Sequence, residues 1–467
     1  MALESNERPD KPITKFESML KTDDVYFFDA EDFEDIIHHY LNHGKISLAK
    51  KGIKIGLQQH PGSIELKLLQ VEVMVFENQM EKAEALLDEL QLLDNHNEEI
   101  YIQRANILSK LDNHEGAIEL LQKALSITNN SFDVYSLLGM EYLFMDNFDS
   151  AKKSFMKCVE FDEQDYSSLY NVVYCFEFLE DYEGAIVYLN GYLEKNPYCE
   201  VAWHQLGKQY YYKEMYSEAL TAYDFAIISD DTFIGAYFEK GKVLEKLGRY
   251  KEAIENYETT ISIEDPTSHA FLRIGKCYEK LKDTDMAKYY FYQTVHEDPL
   301  LDKGWLAITN LYYNKRDFEK AVFYINKALN IDGENPQYWK KCAKIHMALE
   351  NYDQADFAFK QAVDLGNYEL DTWLKWAEVV RINGETEAAV QILSQGREFY
   401  PESLKLLYRS VGYLLLANDP INARIMLMDA LKIDIKQKKL HLFTENFPQY
   451  GKSEWTQEIV KKYNKTK

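Results

Sequence analysis

The chain has 467 residues, 46% of them hydrophobic and 28% charged, so it is long enough for several domains and apolar enough to bury a core. Its formal net charge of −24 lies mostly in residues 1–200, where 17 Lys and Arg stand against 38 Asp and Glu, a balance of −21. Such an acidic half disfavours binding of nucleic acid or an anionic membrane there, whereas residues 201–467, with a balance of −3, leave either sign of partner open. No apolar run approaches the roughly 18 residues of a transmembrane helix, and the N-terminus does not resemble a secretory signal, so we expect a cytoplasmic protein that does not bind membranes.

The N-terminal segment, residues 1–29, is polar at first, and we expect it to be partly disordered. A weakly amphipathic stretch at 13–20 and an apolar cluster at 25–28 are placed to cap the helices that begin near residue 30. The next segment contains HHYLNH, in which His39 and His43 are four residues apart and share a helix face, as two metal ligands would. Because no third ligand is evident, we favour a surface or packing role and predict neither a metal nor a cofactor.

The stretch 203–227 contains two short amphipathic patterns separated by a polar turn. The first pattern places large and small residues at i, i+3, i+4 and i+7, namely Trp203, Leu206, Gly207 and Tyr210, and the second does the same with Ala219, Tyr223 and Ala226. Small residues let two antiparallel helices cross closely while the rings fill the space beside them. One such hairpin cannot bury its faces alone, so the pattern predicts stacked copies.

Copies of this hairpin occur at a period of 34 residues without insertion or deletion. The position of Ala219 is alanine in all twelve copies, at Ala49, Ala83, Ala117, Ala151, Ala185, Ala219, Ala253, Ala287, Ala321, Ala355, Ala389 and Ala423. The position of Trp203 is aromatic in nine of the twelve, and proline or a polar turn follows the second helix. The sequence therefore predicts twelve repeats over residues 30–437, followed by a C-terminal capping helix segment at 438–467.

This pattern of aromatic, Leu, Gly and Tyr, then Ala, aromatic and Ala, then Pro, resembles the tetratricopeptide repeat. The resemblance implies an all-α fold, a right-handed superhelical solenoid of antiparallel helix pairs, in which the first helix of each repeat lines a concave groove where ligands bind. With 59 residues outside the repeats and no recognisable catalytic motif, we predict that the protein is not an enzyme and has no catalytic residues.

Basic and aromatic residues interleave on the groove side of the first helices in the C-terminal half. Lysine occupies the position of Lys208 in four of five consecutive repeats, and Lys341, Arg381 and Arg409 lie in neighbouring positions. The predicted partner-binding groove consists of His204, Lys208, Tyr211, Tyr212, Phe238, Lys242, Arg273, Lys276, Asn310, Tyr313, Lys340 and Lys344. Such a surface suits an acidic, partly apolar protein segment in an extended conformation.

Simpler interpretations of the lysines stand beside this one. Lys242 precedes Glu245 by three residues and Lys276 precedes Glu279 by three, so both lysines could form surface ion pairs on their own helices. The resemblance also raises the carboxylate clamp that some family members use for chaperone C-termini. Lys340 and Lys344 fit half of that clamp, but Leu272 stands where its first lysine is needed, so we do not predict it.

The sequence favours a non-catalytic protein–protein interaction scaffold or adaptor that binds an acidic or extended partner segment in the C-terminal half. Two alternatives stay open, a single-stranded nucleic-acid-binding array, since lysines with rings also hold single strands, and a regulatory subunit of an enzyme complex. Overall acidity counts against the binding of nucleic acid. The acidic N-terminal half could bind a basic partner or simply maintain solubility, and the oligomeric state does not follow from the sequence.

The five cysteines (Cys158, Cys175, Cys199, Cys277 and Cys342) contain no C-x-x-C pair and are expected to be small apolar fillers.

Overall fold

A computed structural model describes residues 11–22, 26–128, 131–263 and 267–465. The described residues form 28 helices and no strand, which confirms the predicted all-α class. Three predicted features fall outside them, namely the polar residues 1–10, Val25 of the apolar cluster and the proline turn at 264–266. The chain divides into two compact units, which we call unit 1 (residues 1–229) and unit 2 (residues 230–467).

Unit 1 begins with one helix and continues with six helical hairpins. Its helices are α1 (Lys11–Lys21), α2 (Ala30–Asn42), α3 (Ile46–Gln59), α4 (Ile64–Phe76), α5 (Met80–Leu93), α6 (Glu98–Lys110), α7 (His114–Ile127), α8 (Phe132–Phe144), α9 (Phe148–Phe161), α10 (Tyr166–Phe178), α11 (Tyr182–Lys195), α12 (Glu200–Tyr212) and α13 (Tyr216–Ser229). Hairpin 1 is α2 with α3, and hairpin 6 is α12 with α13.

Unit 2 continues with six more hairpins and three terminal helices. Its helices are α14 (Ile234–Lys246), α15 (Tyr250–Ile263), α16 (Ser268–Lys280), α17 (Thr284–Glu297), α18 (Asp302–Asn314), α19 (Phe318–Ile331), α20 (Pro336–Ala348), α21 (Tyr352–Asp364), α22 (Leu370–Ile382), α23 (Thr386–Phe399), α24 (Leu404–Leu416), α25 (Pro420–Ile433), α26 (His441–Thr444), α27 (Pro448–Gly451) and α28 (Glu454–Lys465). Hairpin 7 is α14 with α15, and hairpin 12 is α24 with α25.

The alanine that repeats every 34 residues is buried in every hairpin. All twelve of these alanines lie on the second helix and are at most 1% exposed. A larger side chain at this position would separate the two helices, since interiors are packed to near-crystalline density. The uninterrupted spacing of the alanines therefore reflects one helix crossing, repeated in each hairpin.

A ring from the second helix lies against a glycine of the first helix in four hairpins. A β-carbon built on Gly207 would lie 2.5 Å from Cε1 of Tyr223, and one built on Gly139, Gly241 or Gly275 would lie 2.6 Å from the ring in the same position of its own hairpin. Real β-carbons do not approach another atom this closely. The large and small residues that suggested interlocking helices in the sequence are therefore in direct contact.

The turn inside each hairpin contains one residue with a positive φ, always at the same position of the 34-residue period. These residues are Gly44, Asn78, Asp112, Asp146, Glu180, Glu214, Gly248, Lys282, Arg316, Glu350, Gly384 and Asn418. Nine of the twelve are not glycine, although the left-handed conformation favours glycine. The position therefore cannot be recognised in the sequence by its residue type. The turn nevertheless has the same backbone conformation at this position in each hairpin.

Apolar residues at both ends of the chain pack against the neighbouring hairpin. In unit 1, Phe16 of α1 and Phe28 are buried with Phe33 of hairpin 1, whereas Phe27 is 64% exposed. In unit 2, Phe443 and Phe447 are buried beside α24, and the Phe447 ring occupies the space that a side chain on Gly412 would need. Both ends of the array are thus covered by residues from outside the hairpins.

The cysteines have the role that was predicted for them. All five are buried and none forms a disulfide. Burial raises the pKa of the Cys277 thiol and of the Cys342 thiol to about 12. These thiols therefore stay protonated near neutral pH and act as small apolar side chains.

Candidate partner-binding groove

The predicted groove residues all lie on first helices of hairpins, and they are divided between the two units. His204, Lys208, Tyr211 and Tyr212 lie on α12 of unit 1. The other eight, which lie on α14, α16, α18 and α20 of unit 2, are Phe238, Lys242, Arg273, Lys276, Asn310, Tyr313, Lys340 and Lys344. We describe each set within its own unit.

In unit 1, two of the predicted residues of α12, Lys208 and Tyr212, have partners in the preceding hairpin. The Lys208 ammonium lies 3.3 Å from the carboxylate of Glu177 on α10, and the neighbouring Gln209 amide donates to the same carboxylate at 2.7 Å. The Tyr212 ring, 47% exposed, lies 5.4 Å from the Tyr182 ring between centroids. Lys208 therefore serves an inter-hairpin ion pair in this structure, while Tyr212 presents an aromatic edge to solvent.

In unit 2, the ion pair expected for Lys242 forms with a different glutamate. Lys242 lies 2.7 Å from Glu239 on its own helix, one turn towards the N-terminus, rather than pairing with Glu245. Glu245 instead lies 3.3 Å from the Arg273 guanidinium of the next hairpin and accepts a hydrogen bond from the Tyr257 hydroxyl. The Tyr257 ring that fills the glycine contact of hairpin 7 thus also orients Glu245, so Glu245 is unavailable to Lys242.

Lys276 differs from these residues because no carboxylate lies within 4 Å of its ammonium among the described residues. The side chain is half-buried on α16. Burial lowers its pKa from the ordinary value, and the positive charge of Arg273 adds to the effect while Glu245 opposes it. The Lys276–Glu279 pair that the sequence allowed is not formed at ion-pair distance, and the Glu279 side chain is exposed.

Lys341 on α20 is a second half-buried lysine, and it lies outside the predicted set. Its ammonium lies 3.9 Å from the centroid of the Tyr313 ring on α18, at cation–π distance. Burial lowers the pKa of Lys341 to about 8, and the neighbouring Lys344 acts in the same direction. The sequence pattern favours the adjacent Lys340 instead. Lys341 is distinguished from its neighbours by its contact with Tyr313, and that contact depends on how two consecutive hairpins pack.

Lys340 and Lys344, the neighbours of Lys341, already have acidic partners. Lys340 is only 8% exposed and lies 2.7 Å from Glu369, and its hydrogen bond lowers the pKa of that carboxyl. Lys344 lies 2.8 Å from Asp371. Of the lysines described here on α14, α16 and α20, Lys242, Lys340 and Lys344 are therefore paired with carboxylates, whereas Lys276 and Lys341 are desolvated and have no carboxylate at ion-pair distance in the described part of the chain.

The histidines near the N-terminus do not form a metal site with other ligands. The His39 and His43 rings lie 4.3 Å apart, and Nδ1 of His43 is 2.7 Å from the carbonyl oxygen of His39. The described residues contain no group of three or more His, Cys, Asp or Glu side chains that could hold a metal ion. The contact between Nδ1 of His43 and the helix carbonyl accounts for the orientation of its ring.

Helix pairs that recur at a fixed period, each packed on the next within its unit, define an α-helical repeat protein. Family models of the tetratricopeptide repeat match residues 98–131, 132–165, 234–265 and 303–335, and a second model of the same repeat matches 269–300. These segments coincide with hairpins 3, 4, 7, 9 and 8. The chain contains tetratricopeptide repeats, and proteins built from this repeat serve generally as scaffolds that bind peptides or other proteins.

Solved structures resemble the chain at low sequence identity. The Cut9–Hcn1 hetero-tetramer of the APC/C is 15% identical with a TM-score of 0.40, covering 90% of this chain and 92% of that one. A tetratricopeptide repeat protein from Parabacteroides merdae is 15% identical with a TM-score of 0.42, covering 54% and 99%. YrrB, described as having an unusual peptide-binding site, is 18% identical with a TM-score of 0.32, covering 38% and 92%. No curated protein matches the sequence.

A helix needs about 20 mostly apolar residues to cross a bilayer. Within the described ranges, no helix combines that length with the apolar character that crossing requires.

Proposed function

We propose that the protein is a non-catalytic interaction scaffold whose unit 2 binds an acidic segment of a partner protein along the first helices of hairpins 8 to 10. The observation that carries this proposal is the pair of half-buried lysines, Lys276 and Lys341, which lack a carboxylate at ion-pair distance among the described residues. A buried charge without a counter-ion is costly, so a ligand carboxylate that supplies one gains more there than at an exposed lysine.

The spacing of the two lysines indicates the form of the ligand. They lie on first helices two hairpins apart, and packed helices are about 8–10 Å apart, so an extended segment of roughly six residues would reach from one lysine to the other. Tyr313 and Asn310 on the intervening α18 lie between these two helices in chain order. They offer a ring and an amide to the middle of such a segment.

Binding of a synthetic peptide tests the proposal. The probe is a fluorescein-labelled twelve-residue peptide with glutamate at every third position and serine, alanine or leucine elsewhere, and its anisotropy is measured with the full chain. We expect Lys276→Glu together with Lys341→Glu to weaken binding at least tenfold and to flatten its dependence on salt. A peptide with glutamine in place of glutamate is expected not to bind.

The matched control reverses two lysines on second helices. Lys251 on α15 and Lys360 on α21 are exposed, so Lys251→Glu with Lys360→Glu changes the net charge equally without touching the groove. This variant is expected to bind the glutamate peptide within about twofold of the unaltered chain. Equal weakening in both double variants would show that net charge alone attracts the peptide, and the groove assignment would then be rejected.

A further inference from the structure

A cavity of about 360 Å³ lies on the first helices of hairpins 1 to 3 in unit 1. The polar lining residues that lie in helices are Glu34 and His38 on α2, Glu65 and Glu72 on α4, and Glu98, Glu99 and Gln103 on α6. Leu68 and Leu69 form an apolar part of the wall. The cavity is separate from the groove proposed for unit 2, and nothing in the proposed function uses it.

The lining of this cavity is strongly acidic and uncompensated. Five glutamates line it and no lysine or arginine does, so His38 is its single basic group among the described residues. Burial raises the pKa of Glu72 and of Glu99, and other carboxylates raise them further, while His38 opposes the shift. Three helices from three hairpins therefore hold partly desolvated carboxylates with no lysine or arginine beside them in the cavity lining. Packing of the hairpins does not require this arrangement.

Gln103 supplies a second and independent observation. Its side chain is only 6% exposed and lines the cavity. The amide nitrogen donates to Oε1 of Glu99 at 2.8 Å, while Oε1 of Gln103 has no hydrogen-bond partner among the described residues. Because an ionised carboxylate only accepts, the nitrogen must face Glu99 and the oxygen is the atom left over. A buried acceptor without a donor is unfavourable, so a ligand group that donates a hydrogen bond to this oxygen would be favoured.

We propose that this cavity binds the guanidinium group of an arginine in a segment of a partner protein. The ligand must carry positive charge for Glu72 and Glu99 and must donate a hydrogen bond to the Gln103 carbonyl. A guanidinium offers five donors in a planar fork and is more weakly hydrated than an ammonium, so it reaches several acceptors on different helices at a lower desolvation cost. Leu68 and Leu69 suit the aliphatic part of an arginine side chain.

The alternative of a metal ion is not supported by the same residues. The carboxylates line the cavity but do not converge into any group of three possible ligands within the described part of the chain. An organic cation with several spread donors fits a dispersed set of acceptors, whereas a divalent ion needs its oxygens at about 2–2.6 Å from one point.

Three peptides that differ in the side chain at the same two positions provide the test. The probes are fluorescein-labelled nonapeptides of glycine and serine with arginine, lysine or citrulline at the centre and at one flanking position, measured by anisotropy with the full chain at fixed salt. We expect the arginine peptide to bind, the lysine peptide to bind at least threefold more weakly, and the citrulline peptide, which is neutral, not to bind. Citrulline keeps the shape of arginine but lacks its charge and two of its five donors, so it tests the guanidinium as a whole, while the lysine peptide tests charge without the planar fork.

Variants of the cavity connect the binding to these residues. We expect Glu72→Gln with Glu99→Gln to weaken the arginine peptide at least tenfold, and Gln103→Met to weaken it several-fold. The control, Glu81→Gln with Glu89→Gln, makes the same change in net charge on exposed positions of α5 and should stay within about twofold. Circular dichroism and the melting temperature show whether each variant is folded.

Several results would overturn the proposal. Equal affinity of the arginine and citrulline peptides, or equal binding by the cavity and control variants, would remove the site, and equal binding of the lysine peptide would remove the assignment to guanidinium. Self-association of the chain that disappears in the Glu72 and Glu99 variant would assign the cavity to a second copy instead of a partner. Lys276→Glu with Lys341→Glu should leave the arginine peptide unaffected, so the two proposals fail independently.

Discussion

At the scale of the residue, Lys341 shows how a functional position is recognised by its surroundings rather than by its type. The sequence offers many lysines on first helices, and most of those predicted for the groove are paired with Glu or Asp in the structure. Lys341 is instead desolvated above the Tyr313 ring. Neither the burial nor the ring contact is visible in one column of a repeat, because both arise from packing between consecutive hairpins.

The depressed pKa of Lys341 predicts a specific dependence of stability on pH. With the pKa lowered from the ordinary value of 10.5 to about 8, the folded chain holds this proton less tightly than the unfolded chain does. The contribution of Lys341 is therefore unfavourable below about pH 8 and is relieved as the pH rises from 8 to 10.5. Lys341→Met should stabilise the protein at pH 7 by about 1 kcal/mol, after allowance for solvent screening, and should remove this dependence.

Urea unfolding at pH 7 and pH 10 measures this effect. Lys360→Met, which removes an exposed lysine from α21, is the control and should change the free energy of unfolding by less than about 0.5 kcal/mol at either pH. If Lys341→Met and Lys360→Met behave alike, Lys341 is not desolvated in solution.

The turn residues with positive φ make a second prediction at this scale. Glu180 adopts φ of 53°, where a side chain costs about 1–2 kcal/mol relative to the right-handed region. Because glycine loses more chain entropy on folding, we expect Glu180→Gly to be stabilising by up to about 1 kcal/mol. Gly248→Ala, at φ of 74° in the equivalent turn of hairpin 7, should be destabilising by about 1 kcal/mol. Chemical denaturation of the two variants gives opposite signs if the turns are as described.

At the scale of the element, the hairpin depends on a ring that occupies the place of a missing side chain. Gly207→Ala would add a carbon 2.5 Å from the buried Tyr223 ring, although alanine favours a helix by about 1 kcal/mol. Overpacking of this kind costs about 1–3 kcal/mol, so after the gain in helix propensity we expect a net loss of up to about 2 kcal/mol in the free energy of unfolding.

Gly191 provides the matched control for Gly207. It lies in the same unit, inside α11, and a β-carbon built on it meets no atom within 4 Å. Gly191→Ala should therefore be stabilising by up to about 1 kcal/mol through helix propensity alone. Thermal or urea unfolding that shows the two alanine variants shifting in the same direction would contradict the packing described for hairpin 6.

The packing within each hairpin could be predicted from the sequence, whereas the partners of the groove residues could not. The fixed spacing from Ala49 to Ala423 and the small-and-large alternation at Gly207 and Tyr223 specify the helix crossing, since that contact lies within one hairpin. The choice of Glu239 over Glu245 as the partner of Lys242 depends on the Arg273 side chain from the next hairpin. Contacts within a repeat recur with the 34-residue spacing and can be predicted from it, whereas contacts between repeats depend on residues that differ from one repeat to the next.

At the scale of the whole molecule, the two units differ in charge far more than in structure. Unit 1 contains 19 Lys and Arg against 41 Asp and Glu, and unit 2 contains 34 against 36. Self-repulsion should therefore weaken unit 1 at low salt and leave unit 2 nearly unaffected. We expect amide hydrogen exchange in α2 to α9 to slow by about fivefold or more between 10 mM and 500 mM sodium chloride, and exchange in α16 to α23 to change by less than twofold.

The cavity of unit 1 could not be predicted from the sequence columns that suggested the groove. His38 and Glu72 occupy the first two places of the column that continues to Lys208, but the basic members of that column carry its signal in the sequence. The residue type at position 103 also does not show that the side-chain oxygen of Gln103 lacks a hydrogen-bond donor among the described residues once α2, α4 and α6 have packed together. An orphaned acceptor is a property of the assembled hairpins.

The twelve buried alanines have a consequence for how such a chain can vary in length. Each is buried on the second helix of its hairpin, and the spacing from one to the next is 34 residues. A deletion or duplication of 34 residues would join two repeats at the same position of the period, whereas a change of 33 or 35 residues would displace by one residue the helix residues of the hairpin that contains the junction. Whole hairpins are therefore the natural units of gain and loss, and every such event would also shift the charged positions of the first helices by one place along the array.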